Sequence, residues 1–176
     1  FLDKAWAEEA GIGWIGKHSN IINSQIGSWM FLGHLLCTEA LEADTPSKPS
    51  CGECEKCIEA CPTQAIEEPF IVNSNKCLAY HTLENREKEL PINIINKMDN
   101  WIAGCDICQE VCPWNKKNIP NTTEPDLQPS EWILNLTKKE ALSWSDSKWR
   151  ENLKNSALKR IKPWMWRRNI NSISSN

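Results

Sequence analysis

The cysteines are the residues of this chain whose spacing is most able to support chemistry. There are nine of them in 176 residues. One run has the pattern C-x2-C-x2-C-x3-C-P, a later run has the pattern C-x2-C-x3-C-P, and a single cysteine lies between them. This arrangement is typical of bacterial two-cluster ferredoxins, in which a tight loop places three thiolates on three irons of one cubane and the cysteine before proline binds the other cluster.

The ligand pattern therefore predicts two 4Fe-4S clusters with crossed ligands. The first cluster is assigned to Cys51, Cys54, Cys57 and Cys112, and the second to Cys61, Cys77, Cys105 and Cys108. Because each cluster passes one electron, the chain either shuttles electrons or feeds a redox centre elsewhere in the same molecule.

Disulfides and zinc are the alternative uses of these cysteines. A disulfide framework requires an oxidising compartment, and the sequence shows no export signal. Zinc sites usually group cysteines as two C-x2-C pairs around one tetrahedral metal, whereas three ligands fall in one loop here. The ninth cysteine, Cys37, lies in an apolar run and is predicted to be a buried small hydrophobic residue.

The composition is that of an ordinary globular protein, with 40% apolar and 24% charged residues. A chain of this length can form one hydrophobic core. No apolar stretch approaches the roughly 20 residues that span a bilayer, so a cytoplasmic protein without a membrane segment is expected. Since Phe1 enters a helical pattern without a capping residue, we interpret the chain as an internal fragment of a longer protein.

The net charge is only -3, but the charges are unevenly distributed. Eight acidic and two basic residues lie between Glu39 and Glu68, whereas eight basic residues and one acidic residue lie between Lys148 and Arg168. Such asymmetry indicates that the C-terminal segment contacts a polyanion. A solvated helix face is the alternative.

The hydrophobic pattern predicts an α+β chain. A loop punctuated by Gly11, Gly13 and Gly16 separates the first helix from the first strand. The predicted elements are a helix over 1–9, strands over 19–23 and 28–36, a linker over 44–50, a helix near 91–98, a loop over 118–130, and helical structure after it that includes Trp144, Trp149 and Leu153.

Five segments together resemble the epoxyqueuosine reductase family. They cover residues 10–18, 27–33, 60–66, 77–84 and 104–115. The resemblance extends over nearly the whole chain and implies three parts. These are the C-terminal part of a cobalamin-binding α/β domain over 1–46, a two-cluster 4Fe-4S ferredoxin-like domain over 47–120, and the start of a helical-repeat segment over 121–176.

The activity that this resemblance implies is the reduction of epoxyqueuosine to queuosine at the wobble position of a tRNA. Cobalamin would be reduced by the two clusters, and these by an external one-electron donor such as a ferredoxin or flavodoxin. Reduced cobalt is a nucleophile able to open an epoxide, and a nearby acid must protonate the departing oxygen. The expected partner is the anticodon stem-loop, bound by a monomer.

The resemblance also implies roles for individual residues. The general acid is expected just upstream of Phe1, and Asp3 is the only carboxylate close to that place. The implied cofactor-binding residues are Gly13, Trp14, Gly16, Lys17, Ala79 and Tyr80, with Ala79 standing where the family usually has serine. The implied tRNA-binding residues are Glu84, Arg86, Lys159, Arg160, Arg167 and Arg168. Trp29 and Trp114 are expected beside the cofactor, and His34 and His81 are expected to be structural.

Two other functions are compatible with the cysteine pattern. One is a reductive dehalogenase-like cobalamin enzyme that acts on small organohalides, and the other is a two-cluster electron-transfer protein. Neither has a use for a segment that binds a polyanion, so the basic C-terminal segment favours a tRNA-modifying enzyme.

Overall fold

A computed structural model describes residues 2–116 and 121–173. The chain divides into two compact units, which we call the first unit (Phe1–Asn73 and Asp106–Pro120) and the second unit (Ser74–Cys105 and Asn121–Asn176). These units differ from the three consecutive domains expected from the sequence. The cysteine-rich region over 47–120 is itself divided between the two units.

The first unit begins with a helix and a short hairpin. Helix α1 (Asp3–Glu9) is followed by strands β1 (Trp14–Ile15) and β2 (Ile21–Ile22), which pair antiparallel. The Glu8 carboxylate accepts a hydrogen bond from the backbone N–H of Ile15 at 3.0 Å and so ties the helix to the hairpin. The predicted first helix is confirmed over the described residues, and the strand predicted over 19–23 is confirmed only at its centre.

Two glycines of this hairpin are required by its packing. A Cβ atom at Gly13 would lie 2.3 Å from the carbonyl oxygen of Ile22, and one at Gly16 would lie 2.5 Å from the Cδ1 atom of Ile22. Real Cβ atoms do not approach this closely, so the strand packing itself explains both glycines.

The apolar segment over 28–36 was predicted to be a strand, and this prediction is wrong. Beyond Ser28 the segment has no regular secondary structure, and Phe31 and Leu35 are 84% and 91% exposed. Cys37 is also exposed rather than buried. An apolar run favours burial, but a strand also needs a neighbour for its backbone hydrogen bonds, and the sequence pattern cannot supply that neighbour.

The remainder of the first unit carries six of the eight motif cysteines. It contains α2 (Lys56–Glu59), the antiparallel strands β3 (Ile66–Glu68) and β4 (Ile71–Val72), α5 (Ile107–Glu110) and a 3-10 turn over Pro113–Lys116. The turn between β3 and β4 is fixed to the hairpin, because the backbone N–H of Phe70 donates to the carbonyl of Lys17 at 3.0 Å. The predicted linker over 44–50 has no regular structure.

The second unit is helical. It contains α3 (Leu78–Leu83), α4 (Ile92–Ile95), α6 (Glu131–Leu134), α7 (Lys138–Ser143), α8 (Asp146–Asn152) and α9 (Pro163–Ser172), with 3-10 turns over Ser74–Lys76, Pro125–Leu127 and Ala157–Arg160. The helix predicted near 91–98 and the helical structure predicted after residue 130 are confirmed. Of the predicted loop, residues 118–120 lie outside the described part, and 121–130 contain only a 3-10 turn.

Tryptophans dominate the main core of the second unit. Trp144 and Trp166 stack with ring centroids 6.3 Å apart, and Trp149, Leu153 and Ile161 pack around them. The caps at the start of α7 and α8 come from Thr137 and Ser145, whose hydroxyls accept backbone N–H groups three residues ahead. In the described ranges, no helix combines the length and apolar character needed to cross a membrane.

We expect Gly13→Ala to lower the free energy of unfolding of the iron-loaded protein by about 1–3 kcal/mol, because the added methyl group overpacks the hairpin against Ile22. Urea denaturation of the parent and the variant measures this difference. Gly33→Ala is the control, since no atom lies within 4 Å of its added Cβ. Equal losses in both variants would contradict the packing explanation.

Candidate metal centre

Four of the predicted ligands line one cavity of about 280 Å³ in the first unit: Cys51, Cys54, Cys57 and Cys112. Two of them flank a tight turn in which Gly52 has a φ of 53°, a conformation that favours glycine. Cys57 lies on α2, and Cys112 follows α5, which packs against α2. Helix packing therefore brings a thiol from a distant motif to the first motif.

The four thiols surround this cavity rather than converging on one point. In residues 2–116 and 121–173, no three His, Cys, Asp or Glu side chains are spaced to hold a single metal ion. In a cubane cluster each cysteine binds a different iron, so its ligands lie around the cluster. The donor set and its arrangement fit a 4Fe-4S cluster.

Aromatic side chains shield the site from water. Trp14 and Trp114 meet edge to face with centroids 4.9 Å apart, and Trp14 packs with Ile22 and Cys112 in one buried cluster. Lys17, His18 and Pro113 complete the cavity wall with Trp114. A largely apolar surrounding is one of the features that set the potential of an iron-sulfur cluster.

Burial disfavours ionisation of the Cys57 and Cys112 thiols. Burial is the main cause that raises the pKa of Cys57 to about 11, and charge repulsion from the neighbouring Cys112 and Cys51 contributes to this value. Burial also raises the pKa of Cys112, with Cys51 and Cys54 adding repulsion. Because thiolates are the metal ligands, binding of iron at this site must displace protons from these sulfurs.

Cys61 has a different environment. Burial alone would raise its pKa, but the backbone N–H of Ala65 donates to its sulfur at 3.2 Å and the Thr63 hydroxyl lies 3.7 Å away. These hydrogen bonds outweigh burial and lower the pKa of Cys61. Of the four residues assigned to the second cluster, Cys61 and Cys108 lie in the first unit and Cys77 and Cys105 in the second. That assignment stays a prediction.

A polar network that the sequence did not reveal supports the second cysteine motif. The backbone N–H of Ser28 donates to the Asn115 side-chain oxygen at 2.7 Å, and its hydroxyl donates to the Gln109 side chain at 2.8 Å. The Asn115 amide donates back to the Ser28 hydroxyl at 2.8 Å. These partners are more than 80 positions apart, so no local pattern could indicate them.

The other residues expected at the cofactor lie in two places in the first unit. Lys17 lines the thiol cavity, where its ammonium lies 3.7 Å from the Glu55 carboxylate. Asp3 and Trp29 instead line a larger cavity of about 890 Å³. Asp3 also lies 2.8 Å from the Nε2 atom of His34. His34 was expected to be structural within an apolar run, but it is an exposed residue that pairs with Asp3.

In the second unit, α3 carries two further cofactor candidates. Tyr80 is half-exposed, and Ala79 is partly buried. The next residue, His81, is only 4% exposed; its Nε2 atom lies 2.8 Å from the carbonyl of Asn75, and its Nδ1 atom lies 2.9 Å from the side-chain amide of Asn85. His81 is thus a structural, hydrogen-bonded histidine, as expected.

The prediction that Arg168 binds tRNA phosphate is wrong. Arg168 is buried, and all of its guanidinium nitrogens donate within the second unit. The acceptors are the carbonyls of His81 at 3.0 Å, Asn85 at 2.9 Å and Glu87 at 2.5 Å, and the side-chain oxygen of Asn169. A guanidinium has five N–H donors, so none is left for a phosphate.

The remaining candidate tRNA-binding residues differ in the contacts that they already make within the protein. Arg167 donates to the Asp146 carboxylate at 2.6 Å and to the Trp144 carbonyl at 2.9 Å. Glu84 forms ion pairs with Arg160 and, at 3.9 Å, with Arg86. Arg86 also contacts the sulfur of Met165 at 2.5 Å. Lys159 and Arg160 are exposed, so these two are the candidates most accessible to a phosphate.

We expect Arg168→Lys to destabilise the second unit by at least about 2 kcal/mol. The lysine ammonium cannot reproduce the hydrogen bonds of the planar guanidinium and leaves buried carbonyls without donors. Urea unfolding followed by tryptophan fluorescence measures this loss. The matched control is Arg167→Lys, which removes a partly exposed contact and should cost less than about 1 kcal/mol. Equal stability of the two variants would contradict a stabilising role of the buried hydrogen bonds of Arg168.

Comparison with known proteins agrees with this site. Residues 50–115 match the family model described as a 4Fe-4S double cluster binding domain. The chain is 85% identical over 174 residues to an epoxyqueuosine reductase of Prochlorococcus marinus (strain NATL2A), covering 99% of this chain and 56% of that protein. It is 61% identical to one from Synechococcus sp. (strain CC9605), covering 96% and 52%.

Solved structures give the same result. A structure of epoxyqueuosine reductase from Bacillus subtilis matches with a TM-score of 0.88 and 32% identity, covering 97% of this chain and 45% of that one. Another, with a tRNA-Tyr epoxyqueuosine-modified stem loop, matches equally well, with the same coverage. The chain spans about half the length of the curated relatives it matches. By sequence and by structure, this chain belongs to the epoxyqueuosine reductase family.

Proposed function

We propose that this chain holds two 4Fe-4S clusters and works as the electron-supplying part of an enzyme that reduces epoxyqueuosine to queuosine in tRNA. The observation that carries this proposal is the cavity at which Cys112 meets Cys51, Cys54 and Cys57, in a chain whose relatives are epoxyqueuosine reductases. That relationship favours the proposal over a reductive dehalogenase or a simple electron carrier.

The ligand roles follow from the crossed pattern. Cys51, Cys54, Cys57 and Cys112 would hold the first cluster, and Cys61, Cys77, Cys105 and Cys108 the second. The chemistry supplied when clusters and cobalamin are bound is one-electron transfer to a cobalt centre that can open an epoxide. Trp14 and Trp114 would exclude water from the first cluster, and an external one-electron donor would supply the electrons.

The larger cavity of the first unit is suited to cobalamin. Its wall is mostly apolar, with contributions from Trp29, Met30 and Phe31, and Asn20, Ser28 and Gln109 add amide and hydroxyl groups. A large cavity with few polar groups is typical of a cofactor site. Gly13 and Gly16 would act indirectly, by permitting the hairpin that forms one side of this wall. Asp3 lines the cavity and stays our candidate for the proton donor in this chain.

The tRNA contact is proposed at the exposed cations of the second unit. The relative solved with a modified tRNA stem loop supports a stem loop as the partner of this chain. Lys159 and Arg160 are exposed and adjacent, and Arg160 could exchange its ion pair with Glu84 for a phosphate. Arg86 and Arg167 would then contribute through the protein contacts that position this surface.

The first test concerns the clusters. Anaerobically reconstituted protein should contain about eight irons and eight sulfides per chain. Cys112→Ala should remove the cluster held by Cys51, Cys54 and Cys57 while keeping the one held by its sequence neighbours Cys105 and Cys108. Iron analysis and EPR spectra of the reduced protein measure both effects.

The control for this experiment is Cys37→Ala, which changes an exposed cysteine outside the motifs and should keep the full iron content. Bound zinc, or only about four irons in the parent protein, would be incompatible with two clusters. Loss of the cluster held by Cys105 and Cys108 in Cys112→Ala would show that the ligands are not crossed.

The second test concerns tRNA. In the full-length protein, Lys159→Gln combined with Arg160→Gln should weaken binding of the anticodon stem-loop, and each lost phosphate contact should reduce the log-log salt slope by roughly 0.7 to 0.9. Fluorescence anisotropy over a salt series measures the slope. Iron content should not change.

The matched control is Lys138→Gln combined with Lys139→Gln, which removes the same charge from exposed positions on α7. If both double variants weakened binding equally, the effect would be one of net charge, and no contact at Lys159 or Arg160 would be supported.

A further inference from the structure

His18 lies in the wall of the thiol cavity without a partner for one of its ring nitrogens. It follows β1 in the turn of the hairpin, is 4% exposed, and lines the cavity together with Cys51, Cys57 and Cys112. Neither the cysteine pattern nor the proposed electron transfer assigns it a role. Because His18 lies at the site, its hydrogen bonds indicate whether a ring nitrogen is available to a bound cluster.

The hydrogen bonds of His18 determine which ring nitrogen carries the proton. The backbone N–H of Asn20 donates to its Nδ1 atom at 3.2 Å. Because Nδ1 accepts this hydrogen bond, it carries no proton, so the ring is neutral. A neutral imidazole that accepts at Nδ1 carries its proton at Nε2. Nε2–H is therefore a donor.

This donor is buried and unpaired. In the described part of the chain, His18 Nε2 has no hydrogen-bond partner, and the other buried side-chain nitrogens in this condition all belong to indole rings. A buried N–H without an acceptor costs about 1–3 kcal/mol. The residue that carries this donor lies in the wall of a cavity that, under the proposed function, contains sulfur acceptors.

We propose that the Nε2–H group of His18 donates a hydrogen bond to a sulfur of the cluster held by Cys51, Cys54, Cys57 and Cys112, and so raises the reduction potential of that cluster. The inference rests on the proposed function, because it requires a cluster in this cavity. Hydrogen bonds to cluster sulfurs stabilise the reduced form, which carries one more negative charge. Lys17, the cation in the same wall, is already paired with Glu55 at 3.7 Å.

The test compares His18→Leu, which removes the donor, with His18→Gln, whose amide nitrogen can occupy nearly the same position as Nε2. EPR-monitored redox titration of the full-length, cluster-loaded protein gives the potential of the first cluster. At the midpoint potential of the parent, we expect His18→Leu to show about a tenfold lower ratio of reduced to oxidised cluster, which corresponds to 59 mV for one electron. His18→Gln should remain close to the parent.

A second measurement does not depend on a variant that folds. In parent protein labelled with 15N-histidine, the reduced first cluster should show a 15N coupling in pulsed EPR, together with an exchangeable proton that is lost in D2O. Absence of this coupling, or an unchanged potential in His18→Leu with full iron content, would overturn the proposal. A parent protein without a cluster at Cys51, Cys54, Cys57 and Cys112 would instead refute the proposed function.

Discussion

The meeting of thiols from two distant motifs is the constraint on which the first unit depends. Cys112 must reach the loop that carries Cys51 and Cys54, and closing the chain over this distance costs conformational entropy. Short strands and four-residue helices cannot offset that cost alone. The packing of α2 on α5, the contact between Trp14 and Trp114, and the hydrogen bonds of Ser28 to Asn115 supply the missing stability. The ligand set is thus built by tertiary contacts rather than by secondary structure.

The first cavity holds two groups that a bound cluster would affect. Burial, with charge repulsion from Cys112 and Cys51, raises the pKa of the Cys57 thiol to about 11, so iron must displace a proton from this sulfur. His18 keeps a buried Nε2 donor without an acceptor. Under the proposed function, iron would compensate the charge of the thiolates, and sulfide would offer an acceptor for the His18 donor. Because a cluster would bind the folded site rather than the separate motifs, its assembly and the folding of this part of the chain would be thermodynamically coupled.

Features fixed by local spacing could be predicted from the sequence, whereas features that depend on distant partners could not. Helices such as α1 and α4 follow from periodicity over a few residues. The thiol set of the first cavity includes the distant Cys112, and it was predicted because two-cluster ferredoxins have a known crossed ligand pattern. The prediction of a strand over 28–36 was wrong because an apolar pattern does not indicate whether a neighbouring strand is present. The prediction that Arg168 binds a phosphate was wrong for the same reason. The carbonyls that accept its hydrogen bonds, those of His81, Asn85 and Glu87, lie more than 80 positions away in the sequence.

The burial of Arg168 also changes how the basic C-terminal segment should be interpreted. A charge count treats its eight cations as equivalent, but Arg168 is used inside the fold and Arg167 is paired with Asp146. Arg160 is already paired with Glu84, so a phosphate there would replace one anion by another and gain only the difference between them. Affinity for a polyanion would therefore arise from the exposed cations around Lys159, and it would be smaller than the sequence composition suggests.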